Sequence, residues 1–86
     1  MNNLIDWKYK INAVNPCSGN IHTEQDSVLF LAHDKALPAA VRAYRCECER
    51  LGAGPAHLEA IDLLLSRIEA RQAAGDAKVP DTDLPC

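Results

Sequence analysis

Two apolar stripes joined by a very short link constrain the fold of this sequence most. Each stripe repeats at the three- and four-residue spacing that places side chains on one face of a helix. The link is Gly52-Ala53-Gly54-Pro55. Gly52 suits the left-handed residue that ends a helix, and Pro55 suits the first position of the next helix. So short a link predicts two antiparallel helices lying side by side. The two stripes are Leu37, Val41, Tyr44, Cys48 and Leu51, and Leu58, Ile61, Leu65, Ile68 and Gln72.

The ends of the two helices have recognisable signals. Asp34 is a good N-cap for the first helix, and Pro38 falls in its first turn, where a missing N–H costs little. Gly75 is expected to end the second helix. Residues 76–86 contain two prolines and three aspartates. We therefore expect a single domain over residues 1–75, followed by a flexible acidic C-terminal tail over residues 76–86.

The N-terminal part has the two-residue period of a half-buried strand. Apolar and polar residues alternate across residues 5–14, and dense turn chemistry follows over residues 15–20. The chain is expected to return as a second strand through residues 21–23. Together these elements predict an α+β fold, in which an N-terminal β-hairpin or small antiparallel sheet packs on a C-terminal two-helix antiparallel hairpin. The alternating apolar residues are Trp7, Tyr9, Ile11 and Ala13.

The apolar run over residues 27–32 allows two interpretations. It reads as a strand buried on both faces, or as part of a helix opened by Thr23, with Asp26 three residues later as a capping box. The strand is favoured because the run is short and Asp34 offers a new helix start just beyond it.

Charge and hydropathy narrow the classes of partner. The net charge is −3 over 86 residues, whereas domains that bind nucleic acid by neutralising phosphates usually carry a basic surplus. No stretch approaches the roughly 20 apolar residues of a membrane span. Residues 1–6 lack the basic start and apolar run of a secretory signal. We therefore expect a cytoplasmic protein with no membrane partner and no direct contact with nucleic acid.

Four cysteines and three histidines invite a search for metal or thiol chemistry. Cys46 and Cys48 are two residues apart on a predicted helix, so their side chains diverge by about 200° and do not reach one zinc ion. Cys48 belongs to the apolar stripe and is expected to be buried. Cys46 faces outward among arginines, which would lower a thiol pKa, but no histidine is tied to it by any motif. The sequence predicts no catalytic site, no metal and no cofactor, with a thiol- or metal-dependent role of Cys46 as a minor alternative.

Leu63 is the most informative anomaly of the second helix. It lies opposite the apolar stripe, with Ala56 and Ala70 one heptad to either side and with Glu59 and Arg67 at its rim. A small apolar strip within a polar rim is typical of a helix face that docks on another protein. The alternative is that Leu63 packs beneath the β-hairpin or the tail.

A basic stripe on the first helix is a second candidate surface. Lys35, Arg42, Arg45 and Arg50 are expected on its outer side, where they would bind an acidic partner. The alternative is an ordinary solvated helix face, because nearby glutamates offset part of this charge.

The segment from Ser27 to Gln72 has the outline of an apolar strand, a proline-bearing helix start, a glycine-containing link and a second helix that ends at an Arg-Gln. Its motif Ala-x-Asp-Lys-x-x-Pro-x-x-Val runs from Ala32 to Val41. In this outline the chain resembles small accessory proteins encoded by bacteriophages and prophages. The resemblance implies a protein that binds and blocks a larger host protein or ribonucleoprotein complex, for example an anti-CRISPR-type inhibitor.

The leading hypothesis is therefore a small non-catalytic interaction protein encoded by a phage or mobile element, present as a monomer or a homodimer. The alternative is a nucleic-acid-associated regulator that would use the basic stripe.

Overall fold

The computed structural model describes residues 9–80. In chain order it contains β1 (Asn12–Val14), β2 (Ile21–Thr23), α1 (Leu37–Arg50) and α2 (Pro55–Ala73). The predicted α+β class is confirmed. The described chain forms two compact units, one up to Phe30 and the other over Leu31–Pro80. The predictions made for Trp7 and for residues 81–86 lie outside the described residues.

The β-hairpin is antiparallel, and Asn12, Ala13 and Val14 pair with Thr23, His22 and Ile21 respectively. The predicted return strand is therefore confirmed, whereas the described part of the first strand begins only at Asn12. Asn15 organises the turn, because its side-chain oxygen accepts a hydrogen bond from the Cys17 amide at 2.9 Å. Its carbonyl accepts another from the Gly19 amide at 2.7 Å. Gly19 has a φ of 77°, which glycine adopts without strain.

Residues 27–32 form neither of the two predicted elements. Thr23 and Asp26 do exchange hydrogen bonds, because the Thr23 amide donates to the Asp26 carboxylate at 2.9 Å and the Asp26 amide donates to the Thr23 carbonyl at 3.1 Å. These bonds close an isolated turn, and no helix starts directly after it. The apolar run then leaves Val28, Leu29 and Phe30 exposed. The favoured strand is wrong because this run pairs with no other strand among residues 9–80.

The helix α1 starts two residues later than predicted, because its N-cap is Ala36 rather than Asp34. The Asp34 carboxylate accepts a hydrogen bond from the Ala36 amide at 2.8 Å, and its carbonyl accepts one from the Leu37 amide at 3.0 Å. Asp34 therefore fixes a turn that leads into the helix, and the helix itself begins at Leu37. Pro38 lies in the first helical turn as predicted.

The link between the helices matches the prediction closely. Gly52 has a φ of 84° and follows the end of α1, and Pro55 is the first residue of α2. Gly75 ends the second helix in the same way, with a φ of 108°. Both glycines occupy the left-handed conformation that terminates helices.

The core of the unit Leu31–Pro80 lies between the two helices. Its buried side chains are Val41 and Cys48 from α1, and Ile61 and Ile68 from α2. Leu37, Leu58 and Leu65 pack partly buried against them. The predicted stripes are thus largely confirmed, but Tyr44 and Leu51 are 55% and 69% exposed. Tyr44 is rotated about 50° from the line through Val41 and Cys48, and Leu51 follows the last helical residue.

Residues 76–80 are tied back to the segment before α1. The Lys78 amide donates to the His33 carbonyl at 2.7 Å, and the Lys35 amide donates to the Lys78 carbonyl at 3.0 Å. The Gln72 side-chain amide adds hydrogen bonds to the carbonyls of Ala32 and Asp34, at 2.9 and 2.7 Å. Residues 76–80 therefore belong to the helical unit Leu31–Pro80.

Candidate interaction surface

The outer face of α2 carries an exposed apolar row, which we call the Leu63 strip: Ala56, Glu59, Leu63, Arg67 and Ala70. All five side chains are exposed, and Leu63 is 62% exposed. On the opposite face of the same helix, Ile61 is only 4% exposed. Within the helical unit, α2 therefore buries one apolar face against α1 and leaves a second apolar row exposed.

The charges on this strip differ from the other charges of the two helices. Elsewhere on α1 and α2, every arginine, aspartate and glutamate belongs to an ion pair. The pairs are Arg42–Glu69, Arg45–Asp62, Arg45–Glu49, Arg50–Glu47 and Arg71–Asp76. Glu59 and Arg67 make no ion pair with any of residues 9–80. Eight residues of helix separate them by about 12 Å, which is too far for them to pair with each other.

Two arginines of the predicted basic stripe, Arg42 and Arg45, pair with acids of α2, whereas Arg50 pairs with Glu47 of α1. The Arg45 guanidinium reaches across to α2, where its Nε lies 2.7 Å from the Asp62 carboxylate, and Arg42 pairs with Glu69 in the same way. The hydrogen bond from Arg45 to Asp62, together with the Asp62 charge, raises the pKa of Arg45 above its usual range. Both arginines thus have acidic partners on the neighbouring helix.

The six predicted interaction residues thus fall into separate groups. Leu63, Glu59 and Arg67 share the strip on the outer face of α2. Arg42 and Arg45 bridge the two helices, along the line of Asp62 and Glu69. Lys35 lies in the turn that precedes α1 and is exposed.

Sequence reasoning missed a second exposed apolar site, which lies at the edge of the helical hairpin formed by α1 and α2. Tyr44 stacks edge-on against His57, with ring centroids 6.3 Å apart and an interplanar angle of 73°. Leu64 is also exposed on α2. A hydrogen bond with the Cys48 thiol raises the pKa of Tyr44. The offset of Tyr44 from the Val41–Cys48 line, about 50°, was the available signal for its exposure.

Cys46 is exposed and Cys48 is buried, as the helical spacing predicts. Across residues 9–80, no three His, Cys, Asp or Glu side chains come together in a group that could hold a metal ion. Neither α1 nor α2 has the length and hydropathy needed to cross a membrane.

Comparisons with protein-family models, curated proteins and solved structures give no match for this chain.

Proposed function

We propose that this chain is a small, non-catalytic protein-binding module that uses the Leu63 strip to bind a larger protein. One observation carries the proposal. Leu63 is 62% exposed, and the two charged side chains beside it are the ones on α1 and α2 that make no ion pair with residues 9–80.

Energetics favour a partner at this position. Covering a leucine that is mostly exposed is worth about 1–2 kcal/mol. Ala56 and Ala70 are small, so they allow another backbone to come close to the helix. Glu59 and Arg67 add little affinity when solvated, but they set the orientation and reject partners of the wrong charge.

The strip also specifies the chemistry of the surface it binds. That surface would present an apolar patch to Leu63, a basic group to Glu59 and an acidic group to Arg67. The basic and acidic groups would lie about 12 Å apart, which is the spacing of Glu59 and Arg67 along the helix.

The phage-like outline of residues 27–72 extends the proposal to a mode of action. The chain would act as an inhibitor that covers a working surface of a host protein or ribonucleoprotein complex, in the manner of an anti-CRISPR protein. The acidic net charge of −3 and the pairing of Arg42 and Arg45 with acids of α2 support a protein partner over a nucleic acid.

The test is affinity capture from the host cell with three versions of the full chain: wild type, Leu63→Glu and Leu51→Glu. Leu51 is a matched control, because it is similarly exposed but lies at the end of α1. We expect the wild type and Leu51→Glu to recover the same protein and Leu63→Glu to lose it. Recovery by all three, or by none, contradicts the proposal.

A further inference from the structure

The residues of the Leu63 strip are arranged symmetrically about Leu63, and this symmetry indicates one binding partner. Ala56 and Ala70 lie seven residues before and after Leu63. Glu59 and Arg67 lie four residues before and after it and carry opposite charges. Reversing the direction of the helix about Leu63 therefore exchanges alanine with alanine and acid with base.

We propose that a second copy of this chain binds the Leu63 strip, with the two α2 helices antiparallel and a two-fold axis at Leu63. This inference rests on the proposed use of the strip as a protein-binding surface. In such a pair, Leu63 meets the partner's Leu63, and Ala56 meets the partner's Ala70. Glu59 meets the partner's Arg67, and the symmetry forms this ion pair twice.

Helix geometry allows these contacts. Glu59 and Arg67 project about 40° to either side of Leu63, and the two facing leucines hold the helices about 10 Å apart, at the wide end of the range for packed helices. Glu59 and the partner's Arg67 are then at the same height along the axis, with Cβ atoms about 6 Å apart, within reach of an ion pair. A parallel pair would instead set glutamate against glutamate and arginine against arginine. The charges thus select the antiparallel arrangement.

In the dimer, Glu59 and Arg67 each gain an ion-pair partner, which they lack among residues 9–80. Every other arginine and acidic residue of the helices already has a partner within the chain. The contact is short, since residues 56–70 span about 21 Å of one helix. An interface of this size is weak and depends on concentration. A larger protein that uses the same strip is therefore able to displace the second copy.

Sedimentation equilibrium of the full chain between about 10 µM and 1 mM tests the proposal. We expect the wild type and the control Leu51→Glu to dimerise, and Leu63→Glu to remain monomeric or to dimerise at least 100-fold more weakly. Far-ultraviolet circular dichroism should be the same for all three chains, because Leu63 and Leu51 are both exposed in the monomer.

Charge reversal tests the register. Glu59→Arg alone and Arg67→Glu alone each replace two attractive pairs by two repulsive ones, and each should weaken the dimer about tenfold. The two single variants should associate when mixed, because every pair is then arginine against glutamate. The double variant Glu59→Arg/Arg67→Glu should dimerise like the wild type.

Three results would overturn the dimer: a wild type that is monomeric at the highest concentration, equal dimerisation of Leu63→Glu and Leu51→Glu, or no gain on mixing the charge variants. These outcomes are separate from the capture experiment. A monomeric chain that still captures a protein through Leu63 overturns the dimer alone. A dimer whose Leu63→Glu variant still captures that protein overturns the proposed function alone.

Discussion

Ile68 lies between α1 and α2, is 3% exposed, and provides the sharpest test of the helical core. Replacing it with alanine removes three carbon groups, each worth about 0.8 kcal/mol on transfer from water. The cavity left behind raises the expected loss in the free energy of unfolding to about 3 kcal/mol. The total free energy of unfolding expected for a chain of this length is about 4–13 kcal/mol. The melting temperature should therefore fall by about 12–24 °C.

The assay for Ile68→Ala is urea unfolding followed by far-ultraviolet circular dichroism, with Leu51→Ala as the matched control. Leu51 is 69% exposed, so its truncation should cost less than about 1 kcal/mol. A loss below about 1 kcal/mol for Ile68→Ala, or an equal loss for both variants, would refute the assignment of the core to the contact between the helices.

The same substitution at two glycines of the link should have opposite effects on the free energy of unfolding. Gly52 has a φ of 84°, so Gly52→Ser should lower this free energy by about 1 kcal/mol. Gly54 has an ordinary φ of −69°, so Gly54→Ser should raise it by about 0.5 kcal/mol by capping α2. Equal shifts in the urea midpoint would contradict this prediction. Gln72→Glu should cost about 1–3 kcal/mol in urea unfolding at neutral pH, because a carboxylate donates nothing to the two backbone carbonyls that Gln72 holds; an unchanged midpoint would show that these bonds do not contribute. A hydrogen bond from the Ile11 amide lowers the pKa of Glu24. The stability that this bond gives the β-hairpin is therefore present above pH 4.5 and is lost as the pH falls through the lowered pKa. The Ile11 amide NMR shift should follow this loss in the wild type and not in Glu24→Gln.

The helical hairpin could be predicted because its signals are local. The spacing of Val41, Cys48, Ile61 and Ile68 fixes the buried faces, and the conformational freedom of Gly52 fixes the link. Residues 27–32 could not be predicted in this way. Their apolar pattern fits a strand, but a strand also needs a neighbour to pair with, and the sequence of the run itself does not say whether one is present.

The candidate site was predicted in part. The helical wheel places Leu63 opposite Ile61, and the structure leaves it exposed there. The helical wheel does not show which residue an arginine side chain pairs with. The 2.7 Å hydrogen bond from Arg45 to Asp62 depends on how the two helices align. That Glu59 and Arg67 have no ion-pair partner among residues 9–80 therefore becomes evident only once the structure shows which charges of the two helices pair with each other.

Site-specific photo-crosslinking from position 63 in the host cell tests the central claim most directly. A photoreactive amino acid replaces Leu63 in one chain and Leu51 in a control chain, and the products are separated by mass. We predict a strong product from position 63 that is weak or absent from position 51, with the mass of either two copies or of one copy and a larger protein. The absence of any product from position 63, or equal products from both positions, would contradict the claim that the Leu63 strip is a protein-binding surface.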